Sequence, residues 1–198
     1  MQQAGLSYPL LVRVSGYHAG VNLIRVDTPA DMEKMLDLNR GDRSFYATEF
    51  CDFVSPDGLY RKFRIAVVGD EIFLRHMIVG EKWLLHAARR TTNTQAEELD
   101  ALNDFDRVMA PRMKPVFHEI GSRLQLDFFG VDCAQLASGE VLLFEANACM
   151  NILENTARSP NMWDAPVARI KAALEALLAR PRSWRHVGTR ARAAEATA

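Results

Sequence analysis

Two apolar strands that carry acidic residues constrain this chain more than any other feature of its sequence. The segments 126–132 and 142–147 are largely apolar, and the Ala137-Ser138-Gly139 turn between them predicts that they pair as neighbours. Asp132 lies on the first segment and Glu145 on the second. An acidic side chain within an apolar strand destabilises the fold unless a cation or hydrogen bonds compensate it. The hairpin therefore needs a partner for these two carboxylates.

A hard divalent cation is one such partner. Glu145 and Asn147 differ by two positions, so they share one face of a strand. With Asp132 they present three oxygen-bearing side chains, and oxygen is the ligand atom that Mg²⁺ prefers. The alternative is a hairpin at the edge of a sheet whose acids are solvated. The residue pattern by itself leaves both interpretations open.

The rest of the chain reads as alternating short strands and helices. Strands are predicted over 8–14, 21–26, 45–50, 60–68, 71–79, 82–86, 128–135 and 141–146, and helices over 28–39, 96–124 with a break at Pro111, and 165–179. The first strand is apolar almost throughout and is expected to be buried on both faces. The first helix is expected to bury Met32, Met35, Leu36 and Leu38, and residues 115–124 are expected to bury Val116, Ile120 and Leu124.

The Ser55-Pro56-Asp57-Gly58 turn indicates a boundary between two parts of the chain. We therefore expect an N-terminal lobe over 1–54 and a C-terminal lobe over 55–180. The segment 181–198 is rich in Arg and Ala and has no apolar periodicity, so it is predicted to be a disordered tail.

Charge and cysteine content narrow the class of protein. The net charge is −1, which gives no electrostatic case for binding nucleic acid or an anionic membrane. No apolar run approaches the roughly 18 residues of a transmembrane helix. The cysteine count of 3 is odd, and no pair has the spacing of a metal finger, which favours a reducing cytoplasm over a disulfide framework.

The acidic hairpin also carries a family resemblance. The sequence GVD, followed thirteen positions after Asp132 by Glu145 and two further on by Asn147 in LFEANA, resembles the metal-binding signature of ATP-grasp ligases. The resemblance implies an α+β fold of two small α/β lobes, with mainly antiparallel sheets that enclose a nucleotide cleft. It also implies ATP and two Mg²⁺ ions, with Mn²⁺ as an alternative. Asp132 would bind one ion, Glu145 would bridge both, and Asn147 would bind the second.

Two N-terminal segments resemble the nucleotide-binding parts of the same family. The first, YPLLVRVSGYHAGVNLIRV, resembles its phosphate-side strand and glycine-rich loop, with Arg where a Lys is usual. The residues implied to contact phosphate are Arg13, Ser15, Gly16, His18 and Gly20. His18 is equally typical of a surface loop.

The second of these segments, FYATEFCDF, resembles the hinge strand that holds adenine. Backbone groups of Glu49, Phe50 and Cys51 would read the base, so the Cys51 thiol need not be reactive. Asp52 and Asp57 are both candidates for the ribose hydroxyls, and the sequence does not choose between them.

The segment GLYRKFRIAVVGDEIFLRHM resembles the substrate-side hairpin of the family. Lys62 and Arg64 share a strand face, and Arg64 matches the arginine that faces the transferring phosphate, so both are catalytic candidates. The alternative is a solvated basic face. The continuation through His76 and His86 is closest to ATP-grasp domains of tetratricopeptide-repeat proteins whose substrate is unassigned. These two histidines are either substrate-side residues or core histidines.

The resemblance implies an ATP-dependent ligase. It would activate a small-molecule or peptide carboxylate as an acylphosphate for attack by an amine or another nucleophile. The alternative is a non-catalytic ATP/Mg-binding or interaction module of a larger protein. ATP-grasp enzymes normally carry a further domain before the first lobe, and this sequence starts close to the first lobe strand. A missing N-terminal domain, a partner chain or a homodimer is therefore expected to complete the site.

Overall fold

The chain folds into two compact units, Met1–Asp52 and Phe53–Ala198. The computed structural model describes residues 5–18, 20–38, 40–86, 90–181 and 184–185. Each unit contains one sheet, and every strand pair in the described residues is antiparallel. The predicted α+β class with antiparallel sheets is confirmed. The division falls at 52/53, and the sequence predicts a boundary at 54/55.

The N-terminal unit is a three-stranded sheet with one 3-10 helix. Its strands are β1 (Leu10–Val14), β2 (Leu23–Val26) and β3 (Phe45–Glu49), arranged in the order β2-β1-β3, and the 3-10 helix spans Pro29–Asp37. One face of the sheet packs against this helix and forms the core around the buried residues Leu10, Val12 and Val26.

The expectation that the first strand is buried on both faces is wrong. Leu10, Val12 and Val14 are fully buried, whereas Arg13 is exposed and projects from the opposite face. The sheet is covered on one face by the unit's own helix, so alternate positions of β1 remain accessible in this unit.

The helix predicted over 28–39 forms, but as a 3-10 helix rather than an α-helix. It has three residues per turn, so Met32 and Met35 fall on one side and pack on the core. Leu36, expected in the apolar face, is 86% exposed because an α-helical period does not apply here. The capping residue is as predicted: the Thr28 backbone N–H and hydroxyl both donate to the Asp31 carboxylate.

The C-terminal unit is a four-stranded sheet with helices on both faces. Its strands are β4 (Tyr60–Val68), β5 (Glu71–Gly80), β6 (Phe128–Gln135) and β7 (Val141–Asn147), in the order β5-β4-β6-β7. Its helices are α1 (Thr92–Val108), α2 (Ala110–Leu124) and α3 (Asp164–Leu178).

The two faces of this sheet are covered differently. One face packs under α1 and α2, and its fully enclosed side chains include Phe105, Met113 and Phe117 from the helices. On the other face Ala66 and Val68 pack with Ile152 and with Ile170 of α3. The side chains of Lys62 and Arg64 belong to that second face, because they alternate in step with Ala66 and Val68 along β4.

Three details of the C-terminal unit differ from the sequence prediction. The long helical region breaks at Met109, not at Pro111, which lies within the first turn of α2, where proline is tolerated. The residues of α2 that reach the core are Met113 and Phe117, with Ile120 beside them, whereas Val116 and Leu124 are exposed. Residues 82–86, predicted as a strand, form none: 82–84 are bends and 85–86 are irregular. None of the described helices combines the length and the apolarity needed to cross a membrane.

The predicted tail lies mostly outside the described residues, but its first part differs from the prediction of disorder. Arg185 is described, and its guanidinium is bound to the Asp127 carboxylate at 2.9 Å and to the Asp70 carboxylate at 3.1 Å. Its Nη1 also donates to the Leu126 carbonyl. This arginine ties residue 185 to the β4–β5 turn and to the residues just before β6.

A buried carboxylate covers the outer edge of β5. Glu98 of α1 is 1% exposed and accepts hydrogen bonds from the Met77 backbone N–H, from Arg90 and from the Trp163 indole. Arg90 also reaches the Met77 carbonyl at 3.4 Å. The backbone groups that an edge strand leaves unpaired are thus bonded to side chains at this position.

We expect Glu98→Ala to lower the free energy of unfolding by about 3–5 kcal/mol, because it removes the carboxylate of a buried ion pair and leaves the charge of Arg90 uncompensated. The matched control is Glu97→Ala, one position earlier on α1. Glu97 pairs with Arg61 and has a side chain that is 38% exposed, so its loss should cost less than about 1 kcal/mol. Urea denaturation of both variants measures the difference, and equal costs would contradict this role of Glu98.

Candidate functional site

A row of four polar side chains crosses the sheet of the C-terminal unit. The strand register places His76 opposite Arg64, Arg64 opposite Asp132, and Asp132 opposite Glu145. Residues paired in this way project from the same face of a sheet. We call these four residues the polar row. It lies on the face that α3 covers farther along the strands.

Both edge strands carry a β-bulge next to the polar row. On β5 the pairing moves from Arg64–His76 to Ile65–Leu74, which leaves Arg75 as the extra residue. On β7 it moves from Asp132–Glu145 to Cys133–Leu143, which leaves Phe144 as the extra residue. Bulges re-aim side chains and are frequent beside functional sites.

Asp132 is the most enclosed acid of the row, at 6% exposed. Arg64 binds it with two contacts, Nε to Oδ1 at 2.7 Å and Nη2 to Oδ2 at 2.9 Å, and Lys62 Nζ lies 3.3 Å from Oδ2. Burial works against ionisation of this carboxyl, but the hydrogen bonds and positive charges of Arg64 and Lys62 outweigh it and hold the pKa of Asp132 below its usual range. Asp132 is therefore a carboxylate held between two cations.

The other two predicted metal ligands adjoin Asp132. Glu145 is exposed, and the Asn147 amide donates to its Oε1 at 3.0 Å. The Asn147 Oδ1 accepts the backbone N–H of Cys149 at 2.7 Å, which fixes the direction of the amide. No group of three His, Cys, Asp or Glu side chains arranged for a metal occurs in the part of the chain that the structure describes. The set at this position is two carboxylates and one amide.

That donor set fits a hard cation. It consists only of oxygens, as Mg²⁺ and Mn²⁺ prefer, and it lies at one face of a rigid sheet. The side chains of Arg64 and Lys62 now supply the positive charge beside Asp132. A metal ion that bound Asp132 would compete with these side chains for the same two carboxylate oxygens.

Gly130 lets the segment after β7 close over the sheet. It pairs with Asn147, and a Cβ atom at position 130 would lie only 2.6 Å from the Met150 Cβ and 2.7 Å from its sulfur. Only glycine leaves room for this approach. The close contact holds the turn that contains Asn147 and Cys149 in place, and Gly130 was not singled out from the sequence.

In the N-terminal unit, Arg13 lies on the exposed face of the sheet. Its register partners are Leu23 on β2 and Tyr46 on β3, and its guanidinium lies 5.9 Å from the centre of the Tyr46 ring. Tyr46 is 60% exposed, so the cation and the ring together form an accessible surface.

The predicted phosphate loop follows β1 directly. Gly16 and Gly20 both have positive φ, which glycine adopts without strain. The Ser15 backbone N–H donates to the Ser44 carbonyl at 2.9 Å, and Arg43 stacks 4.7 Å from the centre of the Tyr17 ring. The turn before β3 therefore braces this loop. His18 lies within the loop, and its neighbour 19 is outside the described residues.

The predicted adenine segment ends β3. Phe50 is buried, its ring lies 4.1 Å from the Arg25 guanidinium, and its N–H donates to the Pro9 carbonyl at 2.8 Å. Cys51 is exposed and has a free thiol, as has every cysteine of the chain. The Glu49 carboxylate accepts the Ser7 backbone N–H at 2.6 Å.

Asp57, the candidate for ribose, belongs to the C-terminal unit and has partners within it. Arg61 donates to both of its carboxylate oxygens, at 2.9 and 2.6 Å. The hydrogen bonds from Arg61, and then that from the Leu59 N–H, lower the pKa of Asp57 to about 2. This carboxylate has a structural role in the turn before β4.

The two candidate substrate-side histidines are in different places. His76 belongs to the polar row, whereas His86 lies in the irregular segment after β5 and lines a cavity of about 430 Å³ with Leu59, Val79 and Thr94. The sequence analysis did not single out Arg75. It is 7% exposed, and only the bulge in β5 explains why a charged residue follows the apolar Leu74 into the interior.

Comparison with known proteins gives structural neighbours but no sequence match. No family model matches the sequence, and neither does any curated protein. The D-alanine–D-alanine ligase of Helicobacter pylori is similar at 15% identity and a TM-score of 0.49, over 87% of this chain and 49% of that one. An ATP-grasp ligase of Chryseobacterium gregarium, solved with ADP and a leader and core peptide, matches at 14% identity and a TM-score of 0.47, over 89% of this chain and 50% of that one.

A third neighbour is the RimK domain protein ATP-grasp of Sphaerobacter thermophilus, at 14% identity and a TM-score of 0.46, over 87% of this chain and 54% of that one. The chain spans about half the length of these proteins.

We expect Asp132→Asn to lower the free energy of unfolding by about 2–4 kcal/mol at pH 7 in metal-free buffer, because Arg64 and Lys62 lose their counter-charge. The wild-type advantage belongs to an ionised carboxylate whose pKa is depressed in the folded state. It should be complete above the ordinary value of 3.8 and disappear as the pH falls through the lower folded value. Chemical denaturation of both proteins between pH 7 and pH 3 measures this, and a difference that stays constant over that range would contradict it.

Proposed function

We propose that this chain is an ATP-grasp domain that binds ATP with two divalent metal ions and acts as an ATP-dependent ligase. A carboxylate substrate would take the γ-phosphoryl group of ATP to give an acylphosphate, and an amine or another nucleophile would then displace phosphate. The observation that carries the proposal is the convergence of Lys62, Arg64, Asp132, Glu145 and Asn147 on one face of the four-stranded sheet.

The chemistry of these groups suits phosphoryl transfer, in which the protein acts mainly through position and charge. Asp132, Glu145 and Asn147 would hold Mg²⁺ or Mn²⁺, which neutralises phosphate charge when bound. Arg64 and Lys62 would offset the negative charge that develops on the transferred group. No side-chain nucleophile is required, and burial raises the pKa of the Cys133 thiol beside Asp132 to about 12, so this cysteine is not a nucleophile.

The N-terminal unit would supply the contacts to the nucleotide. Arg13 is an accessible cation for phosphate, and the loop from Ser15 to Gly20 offers backbone N–H groups of the kind that bind phosphate oxygens. Backbone groups from Glu49 to Cys51 would read adenine. The positive φ of Gly16 and Gly20 and the exposed arginine support these roles, whereas Asp57 would have to exchange Arg61 for a ribose hydroxyl.

The acceptor pocket and the cellular setting belong to the proposal as well. As the resemblance implies, an N-terminal domain, a partner chain or a second copy would complete the substrate side. The free cysteines fit a reducing cytoplasm.

We expect Mg-ATP at about 100 times its dissociation constant to stabilise the protein by about 2.7 kcal/mol, which for a chain of this size is a rise in Tm of roughly 5–10 °C. Glu145→Ala should abolish the rise, because the carboxylate next to Asp132 is lost. Thermal unfolding with and without Mg-ATP measures both.

Glu140→Ala is the matched control, because Glu140 lies in the turn before β7 and its side chain bonds only to the Ser138 hydroxyl among its described partners. It should retain the full shift. No shift in the wild type at millimolar Mg-ATP would refute nucleotide binding. Binding without release of phosphate across a panel of carboxylates and amines would favour the non-catalytic module.

Arg64 yields a second prediction, since it occupies the oxygens of Asp132 that the metal would need. Arg64→Met should increase the affinity for Mn²⁺ without nucleotide by on the order of tenfold, because a cation a few ångströms from the metal is removed. The same change should weaken the binding of Mg-ATP, because a phosphate partner is lost. Electron paramagnetic resonance of Mn²⁺ measures the first effect, and calorimetry measures the second.

Arg61→Met serves as the control for the Mn²⁺ measurement. Arg61 lies on the same strand but pairs with Asp57 and Glu97, away from the polar row. It should leave the affinity for Mn²⁺ without nucleotide unchanged. An unchanged Mn²⁺ affinity in Arg64→Met would show that Arg64 does not compete with a metal at Asp132.

A further inference from the structure

Two buried nitrogens next to the carboxylate cluster have no hydrogen-bond partner. In the part of the chain that the structure describes, Arg75 Nε and His76 Nε2 are the buried side-chain nitrogen or oxygen atoms left without one. A buried polar group without a partner destabilises the folded protein by about 1–3 kcal/mol. Two such atoms on consecutive residues therefore require an explanation.

Neither residue is placed there by the alternation of a regular strand. Arg75 is the extra residue of the bulge in β5, and His76 follows it as the first member of the polar row. Arg75 is 7% exposed and has one hydrogen bond, from Nη2 to the Glu154 carbonyl at 2.8 Å. Its Nε, the donor next in line along the guanidinium, is left over.

The charges around these two residues leave an excess of positive charge. Arg64 and Lys62 share the Asp132 carboxylate, whereas Arg75 has no carboxylate partner in any hydrogen bond or ion pair described for it. Glu98, whose charge acts on Arg75, is bound by Arg90 and Trp163. Among the described residues, Arg75 therefore has no negatively charged hydrogen-bond acceptor.

The excess of positive charge also affects the pKa values of both residues. Burial, and then the positive charge of Arg64, lowers the pKa of the Arg75 guanidinium. Burial, and then the charges of Arg64, Arg90 and Arg75, holds the pKa of His76 well below its usual range, with only a weaker opposing effect from Asp132. A neutral His76 can still donate one hydrogen bond from Nε2.

We propose that Arg75 and His76 form an anion subsite beside Arg64, and that it takes a second acidic group of the substrate. A carboxylate or phosphate oxygen would accept from Arg75 Nε and His76 Nε2. His76 as a residue is half-buried and its register partner Arg64 lies on the same face, whereas His76 Nε2 and Arg75 Nε are both enclosed, so the anion would have to displace the groups that enclose them. The substrate class is a carboxylic acid that carries another carboxylate or a phosphate. This assignment rests on the proposed function for what the anion belongs to, but not for the subsite itself.

The test measures anion binding in the absence of nucleotide. Malonate and inorganic phosphate are titrated separately against the full chain, with potassium chloride at equal ionic strength as the reference. Wild-type protein should show a higher Tm with one of the two anions than with chloride. The His76 imidazole NMR signal, assigned with His76→Gln, should shift with the same anion. Whichever anion is preferred identifies the acidic group as carboxylate or phosphate.

Arg75→Met should weaken that binding at least about tenfold, which corresponds to 1.4 kcal/mol. Arg75→Lys keeps the charge but removes Nε, so it should weaken binding less and serves if the methionine variant is poorly folded. Arg61→Met, on the opposite face of the same hairpin, should bind as the wild type does. If the role of Arg75 is to bind the anion, Arg75→Met should lower the Tm of the anion-free protein by no more than a few degrees. The reason is that the substitution removes a buried charge that has no counter-charge.

The proposal is overturned if neither anion acts differently from chloride on the wild type, or if both Arg75 variants keep the full effect. These outcomes are separate from those for the ligase. Anion binding without any response to Mg-ATP would refute the ligase and support the subsite. A response to Mg-ATP that depends on Glu145, without anion binding, would support the ligase and refute the subsite.

Discussion

The structure of the site depends on one buried carboxylate. Asp132 is enclosed in the sheet, and its charge is maintained only because Arg64 and Lys62 reach it from the neighbouring strand. A buried ion pair of this kind is weak evidence for stability, since desolvation offsets much of the attraction. Its value lies in orientation, because the two contacts from Arg64 to Asp132 fix the direction of both side chains. Glu145 and Asn147 then follow from the register of β7.

The sequence predicts the parts of the structure that follow from period-two alternation. The pairing of β6 with β7, the shared face of Lys62 and Arg64, and the proximity of Asp132 to Glu145 were all expected from residue spacing. The resemblance to ATP-grasp proteins added roles, which stay proposals. A hairpin with tight turns leaves few alternative registers, and this is why spacing was sufficient there.

Other features depend on contacts between residues distant in sequence, and spacing does not reveal them. The bulge at Arg75 breaks the alternation, so this charged residue is buried. The helix 29–37 adopts three residues per turn and leaves Leu36 outside. The segment 82–86 has the composition of a strand but no strand partner among the described residues. The need for glycine at position 130 follows only from its close contact with Met150.

The side chains that bond to the outer edge of β5 have a consequence for assembly. An edge strand normally invites another strand to extend the sheet through its free N–H and carbonyl groups. At Met77 those two groups are already bonded to Glu98 and Arg90, so an incoming chain would first have to break a buried ion pair. Pairing of another strand with β5 at Met77 is therefore disfavoured.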